Sequence, residues 1–196
     1  MNSRYGRIIL ASGSPRRREL LEAAGIPFDV ITSDIEEERI PDEPPERMVC
    51  RLALEKARSV SQDHSGRIVL GADTVVVFED VVLGKPSSMA MARKMLAMLS
   101  GNRHRVLTGV ALVDGKHLSE NWCCSTHVTF KKLSDADIER YLSLVDVHDK
   151  AGAYAIQSHG ELLVESVEGL LSNVIGLPVE EVQVRLAAAV MHGKQD

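Results

Sequence analysis

The chain has few cysteines, three in 196 residues. Two of them, Cys123 and Cys124, are neighbours in sequence. An odd, clustered set of this kind builds no disulfide framework, and a reducing cytosol is the simplest compartment. Positive charge is not in excess: 23 Lys and Arg face 28 Asp and Glu, for a formal net charge of −5. The broad basic field that non-specific nucleic-acid binding relies on is therefore missing, and any phosphate partner must be met locally. No apolar run reaches the ~18 residues of a membrane span. After Arg4 and Arg7 the apolar stretch covers only residues 8–11 before Ser12-Gly13-Ser14-Pro15 intervenes, so no secretory signal is expected. The seven histidines show no His-Glu-x-x-His pattern and the cysteines no Cys-x-x-Cys spacing, which argues against zinc. Neither a Walker A loop nor a Gly-x-Gly-x-x-Gly fingerprint is present.

What the chain does have is 44% hydrophobic and 26% charged residues, the balance of a globular domain, which excludes disorder, collagen and coiled coil. Its length suits one compact domain or two small lobes. Residues 8–11 read as a short buried strand and 12–14 as a tight turn. A helix follows over 15–24, with Ser14 as N-cap, Pro15 at the first helical position and Gly25 as the left-handed terminator. A second strand is expected at 28–32, an exposed acidic excursion at 33–45, and a helix over 45–62. The nearly continuous apolar run 68–78, interrupted by Asp73 and Thr74, predicts a central strand. Further along, helices are expected at 87–99, 135–145 and 178–191, and strands at 104–113, 118–133, 154–157 and 162–165. The alternation of strands and helices argues for an α/β sheet with helices packed on it.

Several residues sit where elementary physics disfavours them. Arg16, Arg17 and Arg18 occupy the first turn of a helix, whose positive dipole end opposes cations by roughly 0.3–1 kcal/mol each. At 100° per residue Arg17 falls between Leu20 and Leu21 on the apolar stripe, so its guanidinium is aimed along the protein-facing side. An anion held by the Ser-Gly-Ser turn, or a structural ion pair, would resolve the conflict. Lys56 stands at the centre of a stripe made by Val49, Leu52, Ala53, Ala57 and Val60. It either snorkels to an edge or reaches an anion in a cleft. Asp73 is an acid inside an apolar strand, a costly position unless it meets a metal, a cation or hydrogen-bond donors. Glu36, Glu37 and Glu38 form a cluster of hard carboxylate oxygens of the sort that divalent ions prefer, or a solvated acidic loop. Met91, Met95 and Met98 are expected to pack as core on one side of their helix rather than to form a cofactor box.

In order along the chain, Leu10-Ala11-Ser12-Gly13-Ser14-Pro15-Arg16-Arg17, Gly71-Ala72-Asp73-Thr74, Gly84-Lys85-Pro86, Ser100-Gly101 with His104 and Thr108-Gly109, Asp149-Lys150-Ala151-Gly152-Ala153-Tyr154-Ala155-Ile156-Gln157, and Val174-Ile175-Gly176-Leu177-Pro178 look like the Maf family. Six collinear elements spanning nearly the whole chain make a specific match. The resemblance implies a house-cleaning nucleoside triphosphate pyrophosphatase that splits a triphosphate into the monophosphate and pyrophosphate with a divalent metal, Mg²⁺ or Mn²⁺. It implies an elongated α/β fold, similar to the inosine triphosphate pyrophosphatases, with a mixed sheet flanked by helices. Residues 1–196 would then form a single Maf-like domain with two lobes around a cleft. Arg16, Thr74 and Gln157 resemble the branch acting on dTTP and UTP. The 7-methyl-GTP branch has Trp, Ser-Asp-Gln and Glu at the corresponding places. A Gln amide can pair with the O4 and N3–H edge of a pyrimidine.

On this resemblance Asp73 is the expected general base and Glu37 the expected metal ligand, with Glu36 as fallback. Ser12, Arg16, Arg17, Lys56 and Lys85 would cradle the triphosphate, and Thr74 and Gln157 would select the nucleotide. The expected partner is a small-molecule nucleoside triphosphate, not nucleic acid or membrane, and the expected assembly a cytoplasmic homodimer. Two rivals come with it: a non-catalytic nucleotide-binding regulator of septum formation, and a phosphomonoesterase or nucleotidyltransferase using the same cleft. The sequence departs from the family's pattern at Ser158-His159-Gly160, where a glycine often follows the Gln directly, and at Gly169-Leu170-Leu171-Ser172-Asn173, which lacks an aromatic.

Overall fold

In a computed structural model of the protein, residues 6–38, 40–115 and 117–192 are described, with the side chains of 190–192 left aside. The strands are β1 (Ile8–Leu10), β2 (Phe28–Val30), β3 (Val69–Phe78), β4 (Val81–Leu83), β5 (Arg103–Val113), β6 (Ser119–Phe130) and β7 (Val164–Glu168). The helices are α1 (Pro15–Ala23), α2 (Pro45–Ser61), α3 (Met89–Leu99), α4 (Asp135–Leu144), α5 (Leu171–Ile175) and α6 (Val179–His192). One sheet runs in the order β2-β1-β3-β5-β6-β7, with β4 also paired to β3. β1 is parallel to β2 and β3, while β4 on β3 and β7 on β6 are antiparallel, so the sheet is mixed and flanked by helices, as expected.

The chain forms two compact units, and three of their four boundaries fall inside β3, β5 and β6, the fourth directly after α5. The first unit comprises residues 1–73, 108–124 and 176–196. Its strands alternate strictly. Ile8, Leu10, Leu70, Ala72, Val110 and Leu112 face one way and pack with Leu21 of α1 and Val182 and Leu186 of α6. Ile9, Ala11, Val69, Ala111 and Val113 face the other way and pack with Ala53, Ala57 and Val60 of α2. α2 lies unusually close to the sheet. A Cβ on Gly71 would meet the Ala53 carbonyl oxygen at 2.2 Å, and one on Gly109 would meet the Val49 carbonyl oxygen at 2.1 Å. These two glycines are the seat of the helix.

The second unit, residues 74–107 and 125–175, buries Leu96 and Leu99 of α3, Ile138 and Tyr141 of α4, and Val106, Val128 and Phe130 of the sheet in one core. Within it His104, Phe130 and Tyr154 stack edge to face, and His104 Nε2 lies 2.9 Å from the Tyr154 hydroxyl. Burial pushes the His104 imidazole down to about 4.

Three sequence expectations fail here. Residues 154–157 form no strand but lead from one 3₁₀ turn (Ala151–Ala153) into another (Gly160–Leu162), and the strand that follows is β7 rather than 162–165. Tyr154 is extended, but the backbone turns at once over 156–159, ending at His159 with positive φ, and Gly152 and Ala153 just before it also have positive φ. The short elements β4 and α5 were not expected. Of the methionines on α3 only Met95 is buried. Met91 and Met98 are 39% and 41% exposed, because the core-facing stripe of that helix is filled by Ala92, Met95, Leu96 and Leu99.

Candidate active site

The candidate site lies at the carboxyl ends of the parallel strands, the usual ligand edge of such a sheet. β1 and β2 stop at Leu10 and Val30, which are in register with each other, and Leu10 is also in register with Leu70. β3 continues past that level, so Asp73 lies beyond the end of its neighbour β1, on the side where the loops after β1 and β2 begin. The alternation that sends Val69 and Gly71 toward α2 sends Asp73 the same way.

There it meets Lys56. The Lys56 Nζ donates to Asp73 Oδ1 at 2.7 Å, and Glu37 Oε1 stands 2.7 Å from the same ammonium. The side chains of Lys56 and Asp73 are 10% and 11% exposed, whereas that of Glu37 is 53% exposed. Both misplaced charges of the sequence thus find each other, the partner that burial of either one requires. Among the described residues Asp73 Oδ2 accepts no hydrogen bond.

The first turn of α1 adds a second cation. Arg17 is half-buried; its Nη1 donates to Ser12 Oγ at 3.0 Å and its Nε to the Gly176 carbonyl at 2.9 Å. Ser12 Oγ also accepts from the Ser14 backbone N–H at 3.2 Å, so its own proton remains to be donated. Ser14 takes the N-cap position without a side-chain cap bond, and Pro15 opens α1 as expected. Desolvation pushes the Arg17 guanidinium down from its usual range, repulsion from Arg16 adds to this, and attraction to Asp73 and Glu37 opposes it. Arg17 remains a cation and lies in the field of both acids.

The structure therefore brings Ser12, Arg17, Glu37, Lys56 and Asp73 together within the first unit, with Arg16 half-buried on the same turn as Arg17. Glu37, not Glu36, makes the Lys56 contact, and Glu36 is exposed. Thr74 follows Asp73 on β3 and, with Lys85 and Gln157, belongs to the second unit. Thr74 is half-buried, while Lys85 and Gln157 are exposed in turns. The Gly84 carbonyl accepts from the Gly152 N–H at 3.1 Å, which sets the Lys85 turn beside the Asp149–Gly152 segment.

The comparisons with known proteins bear on this arrangement. The family model described as "Maf-like protein" matches residues 7–189. The chain belongs to the Maf family. A dTTP/UTP pyrophosphatase of Akkermansia muciniphila is 49% identical over 89% of this chain and 92% of its own length. One from Clostridioides difficile is 46% identical over 88% and 89%. Among solved structures, a nucleoside-triphosphatase described as a dITP/XTP pyrophosphatase, from Mycobacterium abscessus, shares 20% identity over 65% of this chain and 75% of that one, at a TM-score of 0.43. Among the described residues of this Maf protein no helix is long and apolar enough to cross a membrane.

The family implies a divalent cation. No group of three or more His, Cys, Asp or Glu side chains able to hold a metal exists among the described residues. The donor set is instead two carboxylates, Asp73 and Glu37, already brought to one cation, the Lys56 ammonium. Hard oxygen donors in that number fit Mg²⁺ or Mn²⁺, ions that take one or two carboxylates and complete their shell with substrate phosphates and water.

A contact that the sequence reading missed lies on α2. Arg51 clamps both oxygens of Glu43 at 2.9 and 2.7 Å and donates to the Glu38 carbonyl at 3.1 Å. Its i+4 partner Glu55 was a visible signal, but nothing in the sequence pointed to Glu43.

Proposed function

We propose that this protein hydrolyses dTTP and UTP to the nucleoside monophosphate and pyrophosphate. Water attacks the α-phosphorus, a new P–O bond forms there, and the bond from the α-phosphorus to the bridging oxygen breaks as pyrophosphate leaves. The observation that carries the reading is the largely buried Asp73 carboxylate bonded through one oxygen to Lys56, with the other open to a water.

Asp73 takes the proton of the attacking water through Oδ2. Lys56 holds the Asp73 carboxylate in place through Oδ1. Arg17 and Ser12 supply positive charge and hydroxyl donation for phosphate oxygens, and Arg16 adds to the same field. This is stabilisation by fixed charges rather than by covalent chemistry. Glu37, with Asp73 beside it, would hold a divalent cation, which would supply neutralisation of phosphate charge. Lys85 is assigned to phosphate, and Thr74 and Gln157 to nucleotide selection, on the motifs that carry them. The reading takes a small nucleotide as substrate, without nucleic acid or membrane, in a cytoplasmic homodimer.

The test is to incubate purified protein with canonical and modified nucleoside triphosphates plus Mg²⁺ or Mn²⁺ and to identify the products. Monophosphate and pyrophosphate in equal amounts, with dTTP and UTP preferred, are expected. Orthophosphate with diphosphate would point to a phosphomonoesterase instead, and tight binding without turnover to a regulator. Light scattering reads the assembly.

A further inference from the structure

Residues 31–44, between β2 and α2, contain no helix or strand among those described, yet they carry Glu37 to its place beside Lys56 and Asp73. The segment is rich in acids, with Asp34, Glu36, Glu37, Glu38, Asp42 and Glu43, and such a stretch repels itself. The ion pair that the Lys56 ammonium makes with the half-exposed Glu37 side chain does not by itself fix a backbone of that length. Arg51 does. Its side chain is 23% exposed and that of Glu43 12%.

All three guanidinium nitrogens are engaged. Nε and Nη2 grip the two oxygens of Glu43, Nη2 also reaches the Glu38 carbonyl, and Nη1 lies 3.3 Å from both Glu55 oxygens. Between the two anchors Asp42 adopts φ +58°, the left-handed bend that returns Glu43 to the helix. The Glu38 anchor is one residue from Glu37. α2 therefore holds the segment twice, by its backbone through Arg51 and by Glu37 through Lys56. Gly71 and Gly109 fix α2 itself against the sheet.

We propose that Arg51 is a positioning residue: by clamping Glu43 and the Glu38 carbonyl it sets the Glu37 carboxylate beside Asp73, ready for the cation that the two acids share. This rests on the assignment of Glu37 and Asp73 to metal-dependent hydrolysis. A planar fork is required, because a lysine offers a point charge that cannot span two carboxylate oxygens and a carbonyl at once.

The full chain is compared with Arg51→Ala, Arg51→Lys and Glu43→Gln by three readouts: amide hydrogen exchange, Mn²⁺ binding followed by electron paramagnetic resonance in the presence of an α,β-imido pyrimidine triphosphate, and steady-state kinetics against metal and nucleotide separately. Arg51→Ala is expected to speed exchange of the Glu43 amide, which donates to the Ile40 carbonyl at 3.3 Å, while the amides of α2 and β3 keep their protection. Mn²⁺ binding should weaken about 10–100-fold, the usual loss when an outer-shell partner goes. The metal concentration for half-activity should rise in parallel, while the nucleotide KM at saturating metal stays within about twofold. Arg51→Lys should behave like Arg51→Ala, and Glu43→Gln should lie between them and the parent; Glu43→Gln also carries the test should Arg51→Ala not fold.

Release of the Glu43 amide with unchanged Mn²⁺ binding overturns the proposal. So does unchanged exchange, or a parent protein that binds no Mn²⁺ with the analogue. A parent that hydrolyses no triphosphate refutes the proposed activity, and exchange and Mn²⁺ binding still decide the role of Arg51.

Discussion

Replacing Lys56 by Met keeps the methylene stem but deletes the ammonium, leaving the 11%-exposed Asp73 carboxylate without its 2.7 Å partner. Breaking a buried pair from one side costs about 3–5 kcal/mol. Two features place this case at the low end: Arg17 still attracts Asp73, and Glu37, being half-exposed, turns to water. The expected loss is about 3 kcal/mol, or roughly 6–12 °C in Tm for a chain of this size. Asp73→Asn should cost less, about 1 kcal/mol, because the amide oxygen still accepts from Lys56 and Glu37 remains beside the ammonium. In the double variant no charge is stranded, so its loss should fall short of the sum by about 1–3 kcal/mol. Urea titration followed by the fluorescence of Trp122, the single tryptophan, reports the first unit, where the pair lies. Losses that simply add, or a Lys56→Met protein as stable as the parent, would mean that the two charges are separately solvated. The reasoning from an embedded acid would then be wrong.

Four other outcomes are expected. Asp73→Asn should lower kcat by about 10²–10⁴-fold with a smaller change in KM, since an amide cannot take the proton of the attacking water; undiminished turnover removes Asp73 from that role. Gly71→Ala forces a methyl to within 2.2 Å of the Ala53 carbonyl, and the strain of overpacking, typically about 1–3 kcal/mol, should appear in thermal melts together with a fall in kcat as Lys56 moves with α2. His104 takes a proton near pH 6.5 when unfolded but only near 4 when buried, so the unfolded chain binds the extra proton between these values. Stability should therefore fall by up to roughly 3 kcal/mol from pH 6.5 to 4, with no such term above 6.5, and His104→Phe should flatten that part of the melt profile. Gln157→Glu should reduce kcat/KM for dTTP and UTP by ~10²-fold or more if the amide reads the pyrimidine edge, and competition between nucleotides measures it.

The long elements were legible because their burial is periodic. α2 announced itself through Val49, Leu52, Ala53, Ala57 and Val60, and the same stripe exposed Lys56 as an anomaly. β3 did so through an apolar run in which Asp73 stood out. A charge in the wrong place is a strong signal, since the structure must answer it, and Lys56 and Asp73 answer each other. Residues 154–157 misled because their apolar side chains mimic a strand, while the backbone turns over 156–159 and ends at left-handed His159. Met91 and Met98 misled because hydrophobicity alone does not say which side of a helix faces inward. The choice of Glu37 over Glu36 as the Lys56 partner depends on the path of an irregular segment, and so does Glu43 as the Arg51 partner. Neither leaves a periodic trace.

The contact of α2 with β3 and β5 at Gly71 and Gly109 also limits how this protein can be redesigned. At these two points backbone meets backbone with no side chain between to lengthen or shorten, so the helix cannot be shimmed inward to alter the reach of Lys56. Attempts to broaden the substrates it accepts must work on the loops around that helix and leave its bed untouched.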